Sequence, residues 1–304
     1  QVRMTTPSDL LAAALAHLKP SKLTVSLASP KTPAKGASKE LGGTAKRRRA
    51  WIKDTVKACA REKRPTTTSA PIKKGPAGVY KQELQCGATA LVLPDPAVAS
   101  VAFRTVWLGG LRAEKKKTNG VSNLFAGMLS RGSRRYPGTR GVEVIESLGG
   151  SMSGVAGRNT IGLRAEMLSA SWPKSLEVIA DTLSNPSLDK ADLEKERIGT
   201  LHELQAQEDN PTFGAFRAFR EALFGSHPYS LSLLGQKESV ASISEGQLAS
   251  YKRRFLRPQD LVVSLVGDVD PQRAVELLDA QLMEAQFTKA SSSKRGALTR
   301  KTPR

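Results

Sequence analysis

The chain has 304 residues, 39% of them hydrophobic and only 5% aromatic, which is enough for one large domain or two small ones. It carries 47 Lys and Arg against 28 Asp and Glu, a formal net charge of +19. This composition excludes collagen-like, wholly disordered and disulfide-scaffold proteins, and no apolar run approaches the length of a membrane-spanning helix.

The excess positive charge is confined to the two ends of the chain. Residues 1–75 hold 17 basic and 4 acidic residues, and residues 289–304 hold six basic and no acidic ones, so 76–288 is neutral. The densest run, at 46–49, is typical of a solvated linker, because aromatic residues for stacking bases do not alternate with it. The sequence therefore disfavours a nucleic-acid partner. Nucleic-acid or anionic-membrane binding through the basic linker and tail stays open as an alternative function.

The N-terminal part predicts isolated elements followed by a linker. Residues 7–19 predict a short helix and 23–27 a strand, two elements with nothing in this segment to pack on. We therefore expect 1–30 to be the end of a preceding unit. Residues 31–75, rich in Lys, Pro, Thr, Gly and Ala, predict a basic flexible linker. The two cysteines, Cys59 and Cys86, lack the spacing of a zinc knuckle or a disulfide framework.

From residue 76 onward the apolar residues recur with the spacing typical of a globular domain. Alternation and helical spacing predict, in order, strands at 80–84, 88–93 and 101–108, helices at 119–131 and 139–148, a hairpin of 151–157 and 160–167, helices at 173–184, 190–208, 212–224 and 245–255, a strand at 261–266 and a helix at 271–285. This order predicts an α+β domain over 76–286, an antiparallel sheet with helices packed on one face. Residues 287–304 predict a disordered basic tail.

The residue types argue against a self-contained hydrolase. The histidines are His17, His202 and His227, and no two of them have the spacing that would place both on one helix as zinc ligands. A serine triad would need one of these same histidines. Glu196 and Glu203 lie seven residues apart on one face of a predicted helix, a pattern that by itself indicates an exposed charged face.

Several longer stretches carry a family resemblance. They are GGLRAE at 109–114 followed by GVS at 120–122, IESLGGS at 145–151, ERIGTLHELQAQEDNP at 196–211, and HPY at 227–229 followed by LG at 234–235 and a segment at 251–268 that ends in VGD. Together they resemble the insulinase, pitrilysin and mitochondrial processing peptidase family, the inverted-motif zinc peptidases. The resemblance implies a processing-peptidase-like α/β roll, with 1–30 as the end of a preceding tandem unit.

The resemblance also implies that the catalytic motif is lost. Where the family has His-x-x-Glu-His, Asn123 and Gly127 replace the zinc ligands and Ala126 replaces the general base. The family's distal glutamate is expected 76 residues after the second histidine, the place of Glu203, with Glu196 as a supporting carboxylate. We therefore expect no catalytic residues and no zinc in this chain, and a zinc ion in a partner half. A glycine at 127 costs a helix about 1 kcal/mol relative to alanine, and the sequence offers no motive for it.

Peptide binding does not require the zinc site. The resemblance implies that peptides pair with the edge strand formed by Ser151, Met152, Ser153, Gly154, Val155, Ala156 and Gly157. Such pairing needs only an open edge and small side chains. An ordinary edge strand that faces a neighbouring half is the other interpretation.

These observations predict a non-catalytic half of an insulinase-like metallopeptidase. It would act as scaffold and chamber wall for a zinc-bearing insulinase-like unit, in the same polypeptide or a separate chain, with unfolded peptides as ligands. The alternatives are part of an active zinc metalloendopeptidase whose motif lies upstream or in a partner chain, and a structural subunit of a respiratory complex. The compartment stays open between bacterial periplasm, bacterial cytoplasm and an organelle matrix.

Overall fold

A computed structural model describes residues 74–288, all of which belong to one compact unit, 65–304. The predicted elements at 7–19 and 23–27, all but the last two residues of the basic linker and all but the first two residues of the tail lie outside the described residues. Among the described residues, no helix is long and apolar enough to cross a membrane.

The described residues form six strands and eight α-helices. In chain order these are β1 Tyr80–Glu83, β2 Thr89–Pro94, β3 Ser100–Leu108, α1 Val121–Met128, α2 Arg140–Ser147, β4 Ser151–Ala156, β5 Thr160–Leu168, α3 Trp172–Ser184, α4 Lys190–Glu208, α5 Pro211–Phe224, α6 Lys237–Ser242, α7 Glu245–Phe255, β6 Val262–Gly267 and α8 Pro271–Glu284. Every element predicted from 76 onward is present. Only α6 was not predicted, because six residues are too few to show a helical period.

The strands form one sheet in the order β1-β2-β6-β3-β5-β4. All neighbours pair antiparallel except β2 and β6, which are parallel. The α+β prediction is confirmed, but the sheet is mixed rather than wholly antiparallel. The reason is topological: the chain passes through all the helices from α1 to α7 before β6 inserts between β2 and β3, and such a long crossover permits parallel pairing.

The helices cover one face of the sheet. Along β3 the buried side chains alternate with exposed ones, so that Phe103 and Trp107 lie in the core while Arg104 and Leu108 face solvent. Leu124, Phe125 and Met128 of α1 belong to the same core. Helix α1 contacts both β4 and α4. The helix that carries Asn123, Ala126 and Gly127 is therefore held between the edge strand and the helix that carries the two glutamates.

Candidate functional site

Helix α1 is anchored at its start by a buried carboxylate. Glu114, only 4% exposed, accepts hydrogen bonds from the backbone N–H groups of Gly120 (2.8 Å) and Ser122 (2.9 Å), from Asn119 Nδ2 (2.8 Å) and from the Ser122 hydroxyl. The first N–H groups of a helix have no partner within the helix, so this carboxylate satisfies donors that would otherwise be stranded in the core. Burial raises the pKa of Glu114, an effect that outweighs the hydrogen bonds to its carboxylate.

Sequence reasoning did not single out Glu114 as a site residue. The residue lies within the GGLRAE stretch that was used for the resemblance, but the sequence does not show what its side chain contacts. The only signal was an acidic residue shortly before a predicted helix start, which favours an N-terminal cap.

Gly127 lies directly beneath the side chain of Glu196. A Cβ atom placed on Gly127 would lie 2.3 Å from Glu196 Oε2, well inside normal contact distance. The other oxygen of the carboxylate, Oε1, accepts a hydrogen bond from Arg131 Nε at 2.5 Å, and both side chains of this ion pair are partly exposed. Glycine at 127 thus has a structural motive that the sequence did not reveal: it leaves room for the Arg131–Glu196 ion pair.

The remaining predicted positions are spread along the same two helices. Asn123 is half-buried one turn before Gly127, and Ala126 is buried. Glu203 follows Glu196 by two turns of α4, about 10 Å along the helix axis, and its side chain is exposed. Among the described residues, no ion pair or side-chain hydrogen bond involves Glu203.

These residues do not fit a zinc ion. Ala126 and Gly127 offer no side-chain ligand, Asn123 offers a neutral amide, and Glu196 is held by the Arg131 guanidinium. Within residues 74–288 no group of three or more His, Cys, Asp or Glu side chains could hold a metal ion. The methyl side chain of Ala126 also offers no proton acceptor, so position 126 cannot supply a general base.

The edge strand β4 packs tightly on α1. A Cβ atom on Gly154 would lie 1.9 Å from the carbonyl oxygen of Ala126, so only glycine permits this approach of strand to helix. The Gly154 N–H is also 3.4 Å from Ser130 Oγ, just after α1. Met152 is buried, whereas Val155 is 41% exposed. The predicted peptide-contact segment therefore lies at the sheet edge, beside the backbone of Ala126.

The His-Pro-Tyr stretch fastens the turn after β4 to the end of α5. The Tyr229 hydroxyl donates to Asn159 Oδ1 at 2.6 Å, and the Arg158 guanidinium lies 5.7 Å from the centre of the Tyr229 ring. The Phe224 ring packs edge-on against Tyr229, with the ring centres 5.6 Å apart. His227 Nδ1 accepts the Tyr229 backbone N–H at 3.2 Å, which makes this histidine a structural residue.

Helix α5 has an exposed apolar face and no buried residue. The side chains that form it are Phe213, Phe216, Phe219 and Leu223, between 48% and 61% exposed. The sequence predicted the helix but not its exposure, because the same apolar spacing is typical of a core-facing helix. Large exposed apolar patches are rare on isolated soluble proteins and mark surfaces that contact something else.

Comparison with known proteins agrees with the geometry. Residues 93–237 match the insulinase family, peptidase family M16. An uncharacterised zinc protease of Mycobacterium leprae is 28% identical over 203 residues, which are 66% of this chain and 45% of that protein. Subunit 1 of the bovine mitochondrial cytochrome b-c1 complex is 27% identical over 173 residues, 57% of this chain and 36% of the subunit. The chain thus spans less than half the length of either relative.

Solved structures share the fold. A protease from Helicobacter pylori superimposes with a TM-score of 0.66 at 17% identity, over 74% of this chain and 52% of that one. The inactive domain of a peptidase M16 from Pseudomonas fluorescens gives 0.64 at 20% identity, over 71% and 53%. The matched residues 93–237 include α1 and α4, and the sequence has no His-x-x-Glu-His. Residues 93–237 of this chain are therefore similar to the insulinase family, peptidase family M16, and they lack the His-x-x-Glu-His motif.

Proposed function

We propose that this chain is a non-catalytic half of an insulinase-like metallopeptidase, a scaffold and chamber wall for a zinc-bearing half. One observation carries the proposal. Gly127, the position that we assign to the family's second zinc-binding histidine, is covered by the Arg131–Glu196 ion pair. A guanidinium there supplies a positive charge beside the carboxylate, and the two neighbouring motif positions offer neither a charged ligand nor a base.

The comparisons support this reading. One neighbour in fold is described as the inactive domain of a peptidase M16, and another is the first half of the periplasmic protease PqqL from Escherichia coli. A third similar protein is a subunit of a respiratory complex. We infer that the partner is a zinc-bearing insulinase-like unit, and that the parent protein or complex is a zinc metalloendopeptidase. The exposed apolar face of α5 supports an assembled state.

We propose further that β4 binds an unfolded peptide by strand addition. The sheet order leaves β4 with β5 as its only strand neighbour among the described residues. On its other side the Gly154 N–H makes a long contact with Ser130 Oγ at 3.4 Å, which a further strand would replace. Its residues from Ser151 to Gly157 are small apart from Met152 and Val155, and the Met152 side chain is buried. Main-chain hydrogen bonds would supply the affinity, as in other cases of strand addition.

The domain boundaries belong to the same proposal. We assign 1–30 to the end of a preceding unit, 31–75 to a basic linker, 76–286 to the zinc-less domain and 287–304 to a basic tail. Limited proteolysis is expected to cut within 31–73 and 289–304 while sparing 74–288, because Phe287 is buried in the core and Lys74 pairs with Tyr80, whereas protease cleavage concentrates outside packed chain.

The catalytic part of the proposal is tested by metal content and turnover. Purified full-length chain should carry no stoichiometric zinc after dialysis against micromolar zinc, and it should not cleave an unstructured peptide. A zinc-bearing peptidase of the same family, treated identically, is the control. Stoichiometric tight zinc would contradict the assignment of Asn123, Ala126 and Gly127 as the motif positions. Cleavage abolished by a chelator would contradict the non-catalytic role.

Strand addition is tested with a pair of peptides. A fluorescein-labelled unstructured peptide and its copy methylated on alternate backbone nitrogens differ only in their capacity to pair as a strand. We expect the methylated copy to bind at least roughly tenfold more weakly, a loss of about 1.4 kcal/mol. Equal affinities would show that the peptide binds elsewhere or by side chains alone.

A further inference from the structure

A second surface, on the helical side of the domain and separate from β4, combines an apolar groove with positive charge. The groove has a volume of about 520 Å³ and runs between the segment after α3 and the second half of α7. Its apolar lining consists of Pro186, Leu188, Ala249, Leu256 and Pro258. The other lining residues are Lys252, Arg253 and Arg257, and none of the lining residues is acidic.

The three cations differ in how their charge is compensated. Arg257 is paired with Asp260, with its guanidinium nitrogen 2.6 Å from the carboxylate oxygen. The Arg253 guanidinium donates only to the hydroxyl of Ser250, at 3.3 Å. Lys252 Nζ donates to the backbone carbonyl of Ser184 at 2.7 Å, at the C-terminal end of α3. Two of the three cations therefore face the groove with no carboxylate partner among the described residues.

The charge of Lys252 is the less well compensated of the two, because its side chain is partly buried. Its pKa is lowered because burial disfavours the charged ammonium, and no acidic neighbour opposes that effect. One carbonyl and the C-terminal dipole of α3 stabilise the charge only in part. A carboxylate brought into the groove would supply the missing counter-charge and would raise the pKa again.

We propose that this groove binds an acidic peptide segment, with a leucine-sized side chain in the apolar part and carboxylates on Lys252 and Arg253. Charge complementarity favours an anionic ligand, and the apolar lining favours one with a hydrophobic anchor. The lining has no aromatic side chain on which a base could stack, which favours a peptide over single-stranded nucleic acid. The inference is independent of the zinc-less site and of strand addition.

The test uses the full-length chain and fluorescence anisotropy. The probe is a labelled peptide of alternating glutamate and leucine, and two matched peptides replace either leucine by serine or glutamate by glutamine. We expect each replacement to weaken binding by at least roughly tenfold, since both the anchor and the charge contribute. Backbone methylation of the probe should leave binding unchanged, which separates this groove from the edge of β4.

Two variants and one control place the binding on the groove. Lys252→Met removes the charge and keeps the apolar stem, and Arg253→Glu reverses an exposed charge. Each should weaken the probe's binding at least roughly fivefold. Arg273→Glu changes the net charge equally on an exposed residue of α8 outside the groove, and it should change binding by less than twofold.

The Arg273→Glu control detects non-specific attraction of the acidic probe to the basic ends of the chain. Equal weakening by Arg253→Glu and Arg273→Glu, or equal binding of the leucine and serine peptides, would overturn the proposal. Displacement of the probe by single-stranded oligonucleotide but not by unlabelled acidic peptide would overturn it in favour of nucleic acid. Should Lys252→Met unfold the domain through loss of its bond to α3, the Arg253 variant alone decides.

Discussion

At the scale of single residues, the neighbouring side chains explain why position 127 is a glycine. Glycine in a helix costs about 1 kcal/mol against alanine, so its presence calls for a compensating contact. The structure supplies one, because the Glu196 carboxylate occupies the space that a Cβ atom at 127 would need. That carboxylate is bound by Arg131, so the glycine and the ion pair are parts of one arrangement.

We therefore expect Gly127→Ala to leave the free energy of unfolding nearly unchanged. The gain in helix propensity, about 1 kcal/mol, is offset by displacement of a partly exposed ion pair that contributes at most about 1 kcal/mol. In a Glu196→Ala background the same change should stabilise by about 1 kcal/mol, since the obstruction is gone. Urea unfolding of the four proteins of this double-mutant cycle measures the coupling.

Gly199→Ala is the matched control for this prediction. Gly199 also lies within a helix, α4, but a Cβ atom there would meet nothing within 4 Å. It should stabilise by about 1 kcal/mol in both backgrounds. A Gly127→Ala variant that stabilises as much as Gly199→Ala in the presence of Glu196 would contradict the role we give to the ion pair.

At the scale of elements, helix α1 depends on a residue outside it. The helix has only eight residues, and it begins after Gly120 with no side-chain cap of the usual kind. Glu114, six residues earlier than Gly120, takes over that role with four hydrogen bonds in a buried position. An isolated helix of this length would not be stable in water, so packing and this anchor together hold it.

We expect Glu114→Ala to destabilise the domain by about 3 kcal/mol or more. The substitution leaves buried backbone and side-chain donors without an acceptor, and charged acceptors contribute more than neutral ones. Thermal and urea unfolding measure the loss.

Glu143→Ala is the comparison for the helix anchor. Glu143 lies in the first turn of α2, but it is exposed and accepts a hydrogen bond from Thr139 at 2.6 Å. Its removal should cost less than about 1 kcal/mol. Similar losses for the two variants would show that Glu114 acts only through its charge near a helix start.

At the scale of the whole molecule, the ion pair beside Gly127 depends on two helices that are distant in sequence. Arg131 and Glu196 are 65 positions apart, and they meet because α1 and α4 pack together. We propose that the same packing brings positions 123 and 127 toward Glu203. We propose that this packing is the framework of the family's metal site, in a register that places different side chains at 123, 126 and 127.

Restoring the two histidines tests that register. Asn123→His combined with Gly127→His should bind zinc stoichiometrically at micromolar metal, with Glu203 as the third ligand, although Glu196 must move to admit the new side chain. Adding Glu203→Gln should weaken zinc binding by at least roughly tenfold. Isothermal titration calorimetry on folded protein measures both.

A matched substitution on the same helix controls for chance binding. Adding Glu194→Gln, which removes an exposed carboxylate paired with Arg197, should leave the zinc affinity of the double-histidine variant unchanged. Zinc binding that is insensitive to Glu203→Gln, or its absence in a variant that remains folded, would show that the assigned register is wrong.

Much of this protein was readable from its sequence because the signals are local. Strand alternation, helical spacing and turn glycines gave the order of the elements from β1 to α8. The absence of a His-x-x-Glu-His motif and the confinement of charge to the chain ends are likewise properties of neighbouring residues, whereas the assignment of Asn123, Ala126 and Gly127 to the motif positions stays a prediction. They need no knowledge of what each segment packs against.

The tertiary structure decided the rest, since it depends on contacts between segments far apart in the chain. Parallel pairing of β2 with β6, the ion pair above Gly127 and the anchoring of α1 by Glu114 all join distant residues or elements. The exposure of α5 is of the same kind, because an apolar stripe predicts a buried face and only the packed domain shows which face lacks a neighbour. A sequence encodes periodicity along the chain, whereas burial is a property of what surrounds each side chain in space.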